Sequence, residues 1–388
     1  MKLLSYRHIL PYIMAALFLM PVITGCSSSD TPGEPLPEPE DITVSFRVAA
    51  GGTATSRAVD FFGAPEESYI DPENLKIFIF DKDQKLKQVL YDDGWLSPST
   101  SITGIGQGMY LLTTKLDPAQ YNTSSEFAIV ALANWRSAEN DTRLKTDLQG
   151  HRLDESEVGV LTITDLKDLT LTINPDAEDD QPDSWVPGEG SWIPMFGSRF
   201  ASLSGYDHSI FSEGNPMPIP DLFLVRALSK IEIINLDTDD GPTIDNITLM
   251  SRNRNGNLVQ DWNFTEATGN VAATTIRSDA GFTNTSLPFH QKENVYTAYL
   301  PEMNFESNEL RKAVCINLDM NGVKHQKWIY LAPYGADGNP VIQASYNSDW
   351  DAIKRNYIYQ YRINSLAFEF LIDVEAWKFG GKHHIQLE

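Results

Sequence analysis

The stretch ITVSFRVAAGGTATSRAVDFF, residues 42–62, begins as a strand and then dissolves into small residues around one arginine. Ile42, Val44, Phe46 and Val48 alternate with Thr43, Ser45, Arg47 and Ala49. That period of two marks a strand buried on one face. Gly51 and Gly52 end the pattern, and Thr, Ala and Ser lead on to Arg57. Soft, extended tracts of this kind are where proteolytic nicking concentrates. Arg57 offers a protease its recognisable charge, whereas Arg47 lies within the strand, where the ladder protects it. Burying four such apolar side chains is worth roughly 6–12 kcal/mol as an upper estimate. The net stability of a whole domain is of the same size, about 5–15 kcal/mol. If this strand were cut away, an apolar groove with unpaired ladder groups would remain, and such an edge takes up another strand.

Outward toward the N-terminus, the stretch is preceded by a tether and a leader. Residues 27–41, SSSDTPGEPLPEPED, hold four prolines and no large apolar residue except Leu36, so they cannot build a core. Before them, Lys2 and Arg7 precede an apolar run from Ile9 to Ile23, followed by Thr24-Gly25-Cys26. This is the pattern of a signal peptide over residues 1–25. Its ending, ITGC, resembles a bacterial lipobox in which Cys26 becomes the lipid-bearing residue. The run is too short to be a comfortable bilayer span, and no other stretch is long and apolar enough. Membrane attachment is therefore expected through the lipid alone. With Cys26 lipidated, Cys315 has no intrachain partner, and the fold must stand without disulfides.

Toward the C-terminus the chain reads as β. LKIFIFD (75–81), MYLLTTKL (109–116), FAIVALANW (127–135), LTLTI (169–173), LSKIEIINL (228–236), IDNITLM (244–250), VYTAYL (295–300), AVCINLDM (313–320) and VKHQKWIYLA (323–332) are short β-branched or aromatic runs between turn signals. Asn321-Gly322 suits a two-residue hairpin, and Asn255-Gly256 offers another turn. Helix is sparse. The best candidate is SDWDAIKRN, residues 348–356, with Ser348 and Asp351 as a capping box. SSEF (124–127) and SAENDTRLKTDLQ (137–149) are lesser ones. This is an all-β chain of two tandem β-sandwiches. The Pro- and Gly-rich stretch 176–221 places the junction near residue 220. The expected organisation is thus a leader over 1–25, a tether over 26–41, one sandwich over 42–220 and a second over 221–388.

Charge and chemistry narrow the function. The 30 basic and 53 acidic residues give a net charge of −23, which repels phosphate backbones and excludes nucleic acid as a partner. No histidine or cysteine spacing suits zinc, and there is no nucleophile elbow or P-loop. The acidic clusters 81–83, 176–180 and 237–241 offer oxygen ligands for calcium, but none has the full loop spacing. The chain is expected to be no enzyme and to hold no metal or cofactor. The rival reading is a surface glycan-binding lipoprotein, with Trp185 and Trp192 in the loop-rich stretch as sugar platforms.

One family joins these features. ITGC, the first strand ending before Arg57, LKIFIFD, FAIVALANW, IPMFG (193–197), VRALSKIEI (225–233), IKRNYIYQYRIN (353–364) and VEAWK (374–378) follow each other as in the fimbrillins of Bacteroidales, the subunits of type V pili. The resemblance spans most of the chain, through short and degenerate motifs. It implies two transthyretin-like sandwiches and export to the outer membrane as a lipoprotein. It also implies cleavage by an arginine-specific protease and assembly into a cell-surface fimbrium that supports adhesion. The implied partners are other copies or other pilus subunits, that protease, and host or bacterial surface ligands. The removed strand would be replaced by a strand from the next subunit. Phe368, Phe370, Ile372 and Val374 alternate with mostly polar residues near the C-terminus, and Ile385 and Leu387 resume the pattern after Gly380-Gly381. These two segments are the candidate donors, and the first reads equally well as the last strand of the second sandwich.

Overall fold

The computed structural model describes residues 42–50 and, between 65 and 376, all but 107–108, 118–119, 123–124, 137–142, 175–183, 189, 208–209, 237–242, 250–251, 261, 263, 265–286, 305–311, 321–322, 331–351, 354 and 365–368. The first strands are β1 (Ile42–Ala50), β2 (Leu75–Asp81), β3 (Leu86–Asp92), β4 (Trp95–Leu96), β5 (Thr100–Gly106), β6 (Met109–Leu116), β7 (Glu126–Ala133), β8 (Leu144–Asp147), β9 (Thr170–Ile173), β10 (Met195–Ser202), β11 (Met217–Pro218) and β12 (Leu222–Arg226). There follow β13 (Ser229–Asn235), β14 (Thr243–Leu249), β15 (Asn255–Asn257), β16 (Leu287–Pro288), β17 (His290–Lys292), β18 (Val295–Leu300), β19 (Met303–Asn304), β20 (Lys312–Met320), β21 (Val323–Tyr330), β22 (Ala352–Ile353), β23 (Tyr357–Asn364) and β24 (Glu369–Ala376). The short helix α1 (Ile163–Lys167) is closed by a capping box between Thr162 and Asp165. The chain is all-β, as the strand runs predict.

The first core lies between two parts of one hydrogen-bonded path, β4–β3–β2–β7–β10–β12–β1–β6–β5. β12 is the switch between them: Leu222–Leu224 pair with β1, and Val225 and Arg226 pair with β10. Ile42, Val44, Phe46 and Val48 share one buried cluster with Ile77 and Ile79 of β2, Ile129 and Ala131 of β7, and Leu222 and Leu224 of β12. Gly197 of β10 lies so close to β12 that a Cβ there would come within 2.5 Å of the Phe223 carbonyl oxygen. The alternate residues of β2 and β7, Phe78, Phe80, Val130 and Leu132, belong to a second cluster with Leu161, Leu166, Leu171 and Trp185. These central strands are buried on both faces, which is why LKIFIFD and FAIVALA are apolar at nearly every position.

A third cluster fills the space between the sheet β17–β18–β13–β23–β24 and the sheet β16–β14–β20–β21, with Ile231, Ile233, Ile247, Leu249, Ala298, Tyr359 and Tyr361 among its members. β20 and β21 pair antiparallel from Lys312–Tyr330 to Met320–Val323, and Asn321 and Gly322 lie outside the described residues.

β12 pairs with β1 and β10 as far as Arg226, and beyond it Ala227, Leu228, Leu258, Tyr299 and Ile358 pack into the cluster that also holds Phe78 and Trp185. Several expectations are corrected. Asn255-Gly256 is no turn but part of β15, paired with β9. Gly256 is there because a Cβ would meet the Pro301 side chain at 2.7 Å. Within the stretch read as a helix, Ala352 and Ile353 form β22, where Ile353 is buried opposite Met303 of β19, while Ser348, Asp351 and Lys354 lie outside the described residues. Glu126 and Phe127 open β7, and Leu144–Asp147 form β8, so neither lesser helix forms over those residues.

Candidate functional site: the first strand and its slot

β1 is a central strand. Its residues Ile42 to Ala49 pair antiparallel with Leu116 to Met109 of β6. On the opposite flank it pairs in parallel with β11, at Val44–Met217 and Ser45–Pro218, and with β12, from Val48–Leu222 to Ala50–Leu224. β11 and β12 are separate, and the chain bridges the interval with a side chain. The Ile219 N–H donates to the Ser45 carbonyl at 2.9 Å. The Arg47 N–H donates to Asp221 Oδ1 at 3.3 Å, so a carboxylate stands where a strand carbonyl would be. Asp221 Oδ2 also accepts from Arg47 Nε at 3.0 Å and from Nη2 of the same guanidinium. The hydrogen bond and then the charge of Asp221 raise the Arg47 pKa above its ordinary value.

From Val44 to Val48 burial alternates as the sequence does, while toward the ends of the strand Ala49 is buried too. Ile42, Val44, Phe46 and Val48 are all at most 7 % exposed, while the Arg47 side chain is 53 % exposed. Thr43 is buried as well. β1 therefore fills a slot with two ladder walls, an apolar floor and one acidic group at its rim.

Downstream, the chain is described again from Pro65, and there it is held tightly. Glu67 is buried in the 3-10 turn Pro65–Ser68 and takes Lys230 Nζ at 2.8 Å and the Tyr299 hydroxyl. Lys230 also meets Glu232 at 2.8 Å. Arg226 donates from Nε to the Glu67 carbonyl at 2.7 Å, from Nη2 to Ser68 Oγ at 2.7 Å and from Nη1 to Asn356 Oδ1 at 2.9 Å. Burial pushes Arg226 down to about 10, a value at which the guanidinium is still charged at neutral pH. For Lys230 burial also opposes the charge, but Glu67 and Glu232 outweigh it and its pKa is raised. Burial, then Glu67, holds the Tyr299 hydroxyl well above the ordinary phenol range. The segment after residue 64 is thus pinned to β12, β13 and β18 independently of β1.

The other sequence candidates fall in different places. Cys26, Arg57, Phe368, Ile385 and Leu387 lie outside the described residues. Phe370, Ile372 and Val374 are in β24, an edge strand that pairs with β23 of its own chain at Ile363, Tyr361 and Tyr359. Trp185 is no sugar platform: it is fully buried, stacks edge-on against Tyr299 and donates to Ser191 Oγ at 2.8 Å. Trp192 is half-buried against Tyr69, ring centroids 4.5 Å apart. Asp81, one of the acidic-cluster residues, uses its carboxylate within a turn, accepting from the N–H groups of Asp83 and Lys85. Among the described residues no three His, Cys, Asp or Glu side chains are placed to hold a metal ion, and no helix is long and apolar enough to cross a membrane.

Sequence reasoning missed Asp221, Glu67 and their partners. The usable signal was a basic residue inside an apolar strand run, Arg226 and Lys230 in LFLVRALSKIEI, because such a group is buried only with a partner.

No family model and no curated protein matches this chain. Among solved structures it is similar to the tip fimbrial protein Mfa3 from Porphyromonas gingivalis with C-terminal truncation, at 15% identity and a TM-score of 0.53, over 87% of this chain and 100% of that one. A fimbrial assembly protein from Parabacteroides distasonis is similar at 13% identity and a TM-score of 0.45, over 87% and 96%. The first of these likenesses establishes a shared fold, in line with the fimbrillin-like architecture that the sequence motifs imply.

Proposed function

We propose that this chain is a structural subunit of a cell-surface fimbria, exported as a lipoprotein through Cys26 and assembled by strand exchange. A protease specific for arginine cuts after Arg57, β1 leaves, and an extended strand of another subunit takes its slot. The observation that carries this reading is the position of β1. It is a central strand paired on both flanks, its four apolar residues lie in the first core, and it stands upstream of the soft tract that ends at Arg57. Strand addition supplies backbone hydrogen bonds, and alternate side chains set the register. A head-to-tail contact of this kind does not close on itself, so it propagates as a filament. The shared fold with a fimbrial tip protein supports the reading. The C-terminal donor remains part of it, through β24 or through Ile385 and Leu387.

The test is the N-terminal sequence of the protein recovered from surface filaments. The expected first residue is Ala58. Filament subunits that still carry residues 42–50 would overturn the cleavage step. A second arm replaces Cys26 by Ala, which should abolish acyl labelling and membrane fractionation. A glycan-binding role keeps one supporting observation, the surface aromatic pair Tyr69 and Trp192. Aromatic faces of that kind suit sugar rings, and glycan-array binding lost in Trp192→Ala would favour it.

A further inference from the structure

On its β11–β12 flank the slot of β1 carries one charge, Asp221, and that charge discriminates between strands; on the β6 flank, Lys115 opposite Thr43 is already engaged by Glu213 at 3.2 Å. Asp221 holds β1 by both oxygens, one on the Arg47 backbone N–H and one on its guanidinium. When β1 leaves, both are released, and the carboxylate stays at the rim between β11 and β12. We infer that Asp221 is a specificity determinant of this slot. It selects an incoming strand with a basic residue at the outward position now held by Arg47 and a free backbone N–H there. The inference rests on the strand-exchange reading above.

The occupant it fits is an extended segment of a different chain. It carries four alternating apolar residues, Lys or Arg at that outward position, and no proline at it. The segment 368–376 of a second copy fits poorly, and its sequence says why. Its apolar residues Phe368, Phe370, Ile372 and Val374 are separated by Glu369, Leu371 and Asp373. Laid in the slot in the same sense as β1, with four apolar residues on the floor, it brings Asp373 to the place of Arg47. Laid in the opposite sense, it brings Glu369 there. Both orientations set an acid against Asp221, in a protein whose net charge is already −23. Like charges directly across a sheet destabilise it, and opposite charges stabilise it by a similar amount.

The experiment uses the full chain after limited cleavage by an arginine-specific protease. Fluorescent nonapeptides are offered to it and followed by anisotropy at low salt: ITVSFRVAA, the same peptide with Arg47→Glu, and residues 368–376. The native peptide should bind on the order of tenfold more tightly than the Arg47→Glu form and the 368–376 peptide. The preference should shrink as salt is raised. In Asp221→Asn, which keeps an acceptor for the backbone N–H, the preference should largely vanish; in Asp221→Lys it should reverse. Equal binding of the three peptides, or a preference that survives Asp221→Asn, overturns the inference and leaves strand exchange standing. If no peptide enters, the native one included, strand exchange itself fails and the inference with it.

Discussion

Arg226 and Lys230, with their partners Glu67 and Tyr299, show what a charged residue does in the middle of an apolar run. Each is buried or nearly so, and each is paired. A buried ion pair adds little net stability over an apolar one, but breaking it is costly because the survivor is left uncompensated. Lys230→Met should therefore lower the unfolding free energy by about 3–5 kcal/mol, read by urea denaturation. Tyr299 and Lys230 also make stability fall in alkali. Both have folded-state pKa values raised above the ordinary 10 and 10.5. A raised group contributes stability that is complete below its unfolded value and is lost as pH climbs through its folded one. Arg226, lowered to about 10, runs the opposite way at higher pH, so a single variant isolates the phenol. Tyr299→Phe should flatten the fall in Tm with pH above about 10. Parallel slopes for variant and parent would show that the hydroxyl is not held neutral by this environment.

At the scale of the element, β1 and β12 decide the first core. Phe46→Ala should cost the intact chain about 3–5 kcal/mol, because the ring is buried beneath two sheets. Gly197→Ala should cost about 1–3 kcal/mol through its clash with the backbone of β12, although it adds only one methyl group. Chemical denaturation reads both. β1 was legible as a strand in the sequence because its apolar residues alternate and small turn-formers follow it, although the burial of Thr43 and Ala49 was not. β2 and β7 were legible as strands, but their continuous apolar runs could not say that two different cores lie on their two faces. β15 and β22 were misread for opposite reasons. Gly256 looks like a turn residue but is small because Pro301 crowds it. Ile353 sits in a local helix signal but is drawn into the core beside Met303. Proline and glycine crowd the stretch up to Asp221, but the sheet membership of β12, which follows it, depends on partners in β1 more than a hundred residues away. Asp221 escaped notice for the same reason: it is 174 residues from Arg47.

On the scale of the whole molecule, the question is whether the body outlives its first strand. All four apolar residues of β1 lie in one cluster, and none belongs to the other two. The opposite face of β2 and β7 packs in a cluster with Leu161, Leu166 and Trp185 that includes no residue of β1. The network around Glu67 ties the chain after residue 64 to β12, β13 and β18 without touching β1. Loss of β1 should then open one region and spare the rest, since proteins unfold locally in cooperative units. A full chain cleaved after Arg57 and stripped of β1 should lose hydrogen-exchange protection in β5, β6 and the early part of β12. Protection in β13, β18 and β23 should stay within a few-fold of the intact chain. A peptide with the sequence of residues 42–50 should restore the lost protection and leave the rest unchanged. If stripping β1 erases protection throughout β13, β18 and β23 as well, the body is not an independent acceptor, and a released strand would yield an unfolded chain rather than an open slot.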